Sequence, residues 1–91
     1  PQPYPDEIEM TMRQWRHLTE LSIVVLNILR EYGPMRISEI ATILEEQYRV
    51  QTSWFQLERI MSLLKSRRLV TKEWKRDDRK VMLVFWKIMK L

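Results

Sequence analysis

The sequence predicts a mostly helical α+β domain, three helices followed by a two-stranded β-ribbon, on the strength of three observations. Apolar residues recur every three or four positions in three separate stretches. After Leu69 the period shifts towards two and β-forming residues take over. Helix starts and stops are marked by capping patterns at Thr11/Gln14 and Ser53/Gln56 and by Gly33-Pro34.

Residues 1–10, with three prolines and no apolar period, are expected to form a flexible arm, leaving 11–91 as one domain. The first helix opens at Thr11 and places Trp15, Leu18, Leu21, Val25, Ile28 and Tyr32 on one stripe. Gly33 suits a left-handed cap, and Pro34 cannot continue the helix. Ser22 and Asn27 on this helix are read as satisfied or solvent-edge polar groups. A second amphipathic helix of about three turns follows, with Ser38 near its start and Ile37, Ile40, Ala41, Leu44 and Tyr48 on one face. Arg49 to Thr52 turn the chain into the third helix at Ser53. There Trp54, Leu57, Ile60, Met61 and Leu64 form the apolar stripe, with Trp54 assigned to the core.

The ribbon reads as strands Val70–Trp74 and Val81–Trp86 around a charged tip, Lys75 to Lys80. Phe85 to Leu91 either extend the last strand or begin a terminal helix. That strand is apolar on both faces, with Val81, Leu83 and Phe85 on one side and Met82, Val84 and Trp86 on the other. One face should cover the core, and the other calls for a partner or the first helix, so a homodimer is expected.

Ninety-one residues suffice for one modest core. The absence of cysteine excludes disulfides and thiolate metal sites. No apolar run approaches the ~20 residues of a membrane span, and no signal peptide is visible, so an intracellular protein of cytoplasm or nucleoid is expected. The net charge of +4 conceals an asymmetry. Residues 1–46 carry four basic and eight acidic side chains, whereas 47–91 carry twelve basic and four acidic. A positive half of this kind points to a polyanionic partner such as nucleic acid. The bland alternative is a solvated surface that keeps the hairpin edge from pairing.

Three short motifs then resemble the MarR group of winged helix-turn-helix proteins and its PadR-like relatives, over about Thr11 to Trp86. Ser38-Glu-Ile-Ala41 is similar to the Ser-Glu-Leu-Ala that opens the first helix of the turn. Leu64-Lys-Ser-Arg-Arg-Leu-Val70 is similar to the Leu-x-x-x-Gly-Leu-Val junction, with Arg68 standing where that group has glycine. Asp77-Asp-Arg79, followed by an apolar strand, resembles the wing signature Asp-x-Arg, with Phe85-Trp86 in place of Leu-Thr.

The resemblance implies that the helix from Ser53 enters the major groove of double-stranded DNA. The side chains expected near base edges are Thr52, Ser53, Phe55, Gln56 and Arg59, with Ser38 on the preceding helix. Gln56 and Arg59 suit adenine and guanine edges, though Gln56 serves equally well as half of a capping box. Phe55, off the apolar stripe, could touch a thymine methyl or pack on a subunit. Lys75, Arg76, Arg79 and Lys80 would meet phosphates or the minor groove, and Lys65 and Lys72 extend the same surface. The resemblance further implies that Asp77 braces Arg79 through an ion pair.

A dimeric transcriptional regulator is therefore the leading expectation. The alternatives are a protein-interaction module of the same fold, a non-specific chromatin or partition factor, and an RNA binder with Trp74 as a stacking residue. With one histidine, no cysteine and no glycine-rich loop, no enzyme, cofactor or metal site is expected.

Overall fold

The computed structural model describes residues 20–89, so the proposed 1–10 arm, the Thr11 cap, Trp15 and Leu18 lie outside it. Within these bounds there are three helices, α1 (residues 20–32), α2 (Ile37–Tyr48) and α3 (Trp54–Ser66), then strands β1 (Val70–Arg76) and β2 (Met82–Ile88). No described helix is long and apolar enough to cross a membrane.

Each helix contributes one apolar face to a common core. Leu21, Val25, Ile28 and Leu29 come from α1, Ile40 and Leu44 from α2, and Leu57, Ile60, Met61 and Leu64 from α3. The ribbon adds Val70 and Trp86, and Met35 enters from the connection between α1 and α2. Asn27 is exposed and Ser22 is buried.

The helix ends follow from local chemistry. Gly33 (φ 82°) closes α1 by donating to Leu29 O at 2.9 Å. At the start of α2, Glu39 Oε1 accepts from the Arg36 amide at 3.1 Å. That is half of a capping box, since a guanidinium has no acceptor to complete it. Ser53 Oγ accepts from the Gln56 amide at 3.1 Å and so caps α3 as expected. The return bond from the Gln56 side chain is not made, which leaves that amide group unused among the described residues.

The strands are antiparallel, with Lys72 opposite Trp86 and Trp74 opposite Val84. Both are longer than the sequence suggested: Lys75 and Arg76 belong to β1 and not to the tip, and β2 continues to Ile88 in preference to starting a helix. Met35 forms a bridge on the other side of β2, donating to Trp86 O at 2.9 Å and accepting from its amide at 2.7 Å. At Trp86, β2 is thus the middle of a three-stranded arrangement, and its backbone edge is satisfied on both sides.

The wing turn is built by one carboxylate. Asp77 Oδ1 accepts from the backbone amides of Arg79 (2.9 Å) and Val81 (2.8 Å). The expected Asp77–Arg79 ion pair is not formed; the Asp77 carboxylate meets main-chain donors instead. With Lys80 N donating to Asp77 O and Asp77 N to Val81 O, each at 3.0 Å, and Lys80 at φ 63°, this is a three-residue hairpin loop with a left-handed final position. Three positions taken to be buried also differ. Tyr32 and Tyr48, at the outer ends of their stripes, are 45% and 41% exposed, and Gln47 Nε2 donates to the Tyr32 hydroxyl at 2.6 Å. Trp54, the first residue of α3, is 59% exposed, because it lies at the edge of the buried stripe beside an open cleft.

Arg68 adopts the left-handed conformation (φ 59°) that a glycine would take there, and Leu69 N closes onto Leu64 O at 3.0 Å. A residue with a Cβ is strained there by about 1–2 kcal/mol, partly offset by the extra unfolded-state entropy of glycine, about 0.5–1 kcal/mol. Arg68→Gly is therefore expected to stabilise the domain by roughly 0.5–1 kcal/mol in urea unfolding. The wing loop gives a second test by amide hydrogen exchange. Asp77→Ala should speed exchange at Arg79 and Val81, Asp77→Asn should largely preserve it by keeping an acceptor, and Arg79→Ala should leave it unchanged.

Candidate nucleic-acid interface

With Leu57, Ile60, Met61 and Leu64 pointing inwards, the helical period puts Phe55, Arg59, Ser62 and Ser66 on the outward face of α3, and all four are exposed. Gln56 and Leu63 lie along one flank, half-buried. Trp54, Glu58 and Lys65 lie along the other, and the wing stands on that side. Trp54 and Glu58 share an open cleft of about 310 Å³ with Ser38, Lys72, Val84 and Trp86. The cleft thus joins the starts of α2 and α3 to the wing.

The alternation of β1 decides where each wing cation points. Lys72 and Arg76 share a face with Trp74, Val84 and Trp86, and the Lys72 ammonium sits 5.1 Å from the Trp86 ring centre. Lys75 is on the opposite face, 3.7 Å from Glu73 and 5.3 Å over the Phe85 ring. Glu73 also meets Lys87 at 3.9 Å. Arg79 and Lys80 are exposed in the loop beyond both strands. Of the eight cations between Lys65 and Lys80, Lys75 alone is ion-paired among the described residues.

The residues singled out from sequence therefore divide. Ser38 and Lys72 meet at the cleft; Phe55 and Arg59 share the outward face of α3; Arg76, Arg79 and Lys80 extend along the wing. Lys65 is exposed at the far end of α3, and Lys75 faces away from the cleft, occupied by Glu73. Ser53 is committed to its cap. Thr52 is half-buried, its Oγ1 inaccessible and without a hydrogen-bond partner among the described residues.

Three residues of the site were not foreseen: Trp54, Arg36 and Glu58, which all line the cleft. A signal existed for Trp54, since at about 100° per residue it falls at the edge of the buried stripe and not at its centre. For Arg36 and Glu58 no local signal existed, as their place depends on where the wing folds back.

No protein-family model and no curated protein matches the sequence. Solved structures do match in fold. An X-ray structure of a PadR-like transcription factor from Bacteroides fragilis aligns with a TM-score of 0.75 at 19% identity, over 87% of this chain and 75% of that one. A Thermoplasma acidophilum structure named as that of a transcriptional regulator aligns with a TM-score of 0.62 at 20% identity, over 74% of this chain and 66% of that one. Of the two groups that the sequence motifs resemble, this likeness represents the PadR-like one. The helices, the bridge at Met35 and the ribbon together give this chain a winged helix-turn-helix fold, similar to that of the PadR-like transcription factor structure.

Proposed function

We propose that this chain is a double-stranded DNA-binding protein acting as a dimeric transcriptional regulator, with α3 in the major groove and the wing along the adjacent backbone or minor groove. The observation that carries this reading is the unpaired positive charge of α3's end and the wing. Seven cations held on one helix–ribbon unit with no carboxylate partner among the described residues are a costly arrangement for a compact fold unless a polyanion meets them. The names of the two structural relatives, both transcriptional regulators, point the same way.

In this reading Arg59 and Gln56 read base edges, and Gln56 has its amide available because the cap uses only its backbone. Ser38, Ser53 and Lys65 contact phosphates at the two ends of the helix pair, Lys72, Arg76, Arg79 and Lys80 do so along the wing, and Lys75 adds longer-range attraction. Thr52 joins them by turning its hydroxyl outwards, which also relieves a buried oxygen that has no partner. The dimer would place two α3 helices about one helical turn apart on a palindromic site. It is supported by the exposed Ile23 on α1 and by Val81 and Met82 beside the wing tip. The second apolar face of β2 argues less strongly for it, because Lys75 already covers Phe85.

The test is a mobility-shift measurement on a mixed duplex pool at two salt concentrations. Binding should weaken steeply with salt, and Arg76→Ala/Arg79→Ala should lower affinity for all sequences and reduce the salt slope by about two. Arg59→Ala should chiefly relax sequence preference, by about 1–3 kcal/mol at one base pair. Absence of binding at low salt would refute the reading. Sedimentation at micromolar concentration should give a dimer; a monomer alone would refute that part.

A further inference from the structure

Five aromatic rings surround the α3–wing unit, and the structure treats them in two ways. Trp86 is buried with Lys72 over its face, and Phe85 is half-buried under Lys75. Trp54, Phe55 and Trp74 are instead 59%, 76% and 58% exposed. Trp54 and Phe55 meet edge to face, with ring centres 5.6 Å apart and planes at 82°. Trp74 makes no ring contact or cation contact with any described residue. Its position in the ribbon is opposite Val84, which lines the cleft with Trp54. Three large rings left exposed on one helix–ribbon unit sacrifice the burial that normally stabilises them, which marks a surface built for contact.

The cations around them narrow the partner. Arg59 lies one helical turn from Phe55 on the same face, Arg76 neighbours Trp74 on the ribbon's cleft-side face, and neither is ion-paired among the described residues. Flat apolar rings among unpaired cations are the two components of a surface for bases that have left the stack: rings for the bases, cations for the phosphates. An apolar ring projecting from a groove-bound helix is also the form of a wedge that parts a base step. A site reading only the edges of an intact duplex would use hydrogen-bonding side chains at these positions, since an intact duplex offers Phe55 little beyond a thymine methyl.

We propose that Trp54, Phe55 and Trp74 form a stacking surface through which this protein prefers DNA with locally unstacked bases over fully paired duplex. The proposal rests on the DNA-binding reading above and adds a substrate preference to it. The full chain is titrated by fluorescence anisotropy against a fluorescein-labelled paired duplex and against the same duplex carrying a short run of mismatches, at one salt concentration. The mismatched duplex should bind about tenfold more tightly, the scale of stacking one base on an aromatic side chain. Phe55→Ala and Trp54→Ala should abolish the preference by weakening binding to the mismatched duplex about tenfold more than binding to the paired one, and Phe55→Trp should keep it.

Equal affinity of the unaltered protein for the two duplexes overturns the proposal and leaves the DNA-binding reading intact. A preference that survives both alanine changes also overturns it. Loss of self-association in Phe55→Ala or Trp54→Ala, with the preference unchanged, assigns the rings to a subunit interface and overturns it as well. Failure to bind either duplex refutes the proposal and the reading beneath it together.

Discussion

The pairing of Met35 with Trp86 is the contact on which this small domain turns. A two-stranded ribbon alone is marginal in water. Here one strand is held from both sides, by β1 and by a single residue of the connection between α1 and α2, with bonds of 2.9 and 2.7 Å. The indole at the same position is buried among residues of the core and covered by Lys72. At roughly 25 cal/mol per Å², an indole of about 200 Å² stabilises the fold by about 5 kcal/mol before entropy is subtracted. That anchor fixes the root of the wing, and the direction in which the wing leaves α3 follows from it.

A second constraint is the scarcity of glycine. The chain has one, at the end of α1, yet four described positions have positive φ. The other three, Arg49, Arg68 and Lys80, are long basic residues that end α2, end α3 and close the wing loop. The strain at Arg68 and Lys80 is compensated locally, by the Leu69–Leu64 backbone bond and by the paired bonds to Asp77. Each of these sites exchanges some stability for a cation where glycine would offer none. Two of the three, Arg68 and Lys80, lie on the α3–wing surface and add to its positive charge.

Charge and aromaticity then divide the surface. In the α3–wing unit the core takes Leu57, Ile60, Met61, Leu64, Val70 and Trp86, while Trp54, Phe55 and Trp74, and the seven cations between Lys65 and Lys80 that have no carboxylate partner among the described residues, remain outside. Glu58 is the one carboxylate lining the cleft between α3 and the wing, and it sits beside the cation Lys72 there. It makes no ion pair with a described residue. An acid at that point would discriminate among ligands, accepting from a base amino group and repelling a phosphate.

Much of this was legible in the sequence, because the signals are local. The stripe of α3, the cap at Ser53, the stop at Gly33 and the alternation of β2 each depend on neighbours within a few residues, where helix and strand geometry are decided. The charge asymmetry is a property of composition and needed no fold. What only the tertiary structure decided depends on distant pairings. Trp54 falls at the edge of the helical stripe, but its burial required a close-packed neighbour over the first turn of α3, and the wing leaves an open cleft there instead. Asp77 and Arg79 are two residues apart whether the carboxylate meets a guanidinium or the backbone, and the tight loop favoured the backbone. Met35 carries no strand signal of its own, since one bridging residue has no period. Its pairing with Trp86, fifty-one positions later, exists only because α2 and α3 pack against α1 and bring β2 back to the start of the second helix.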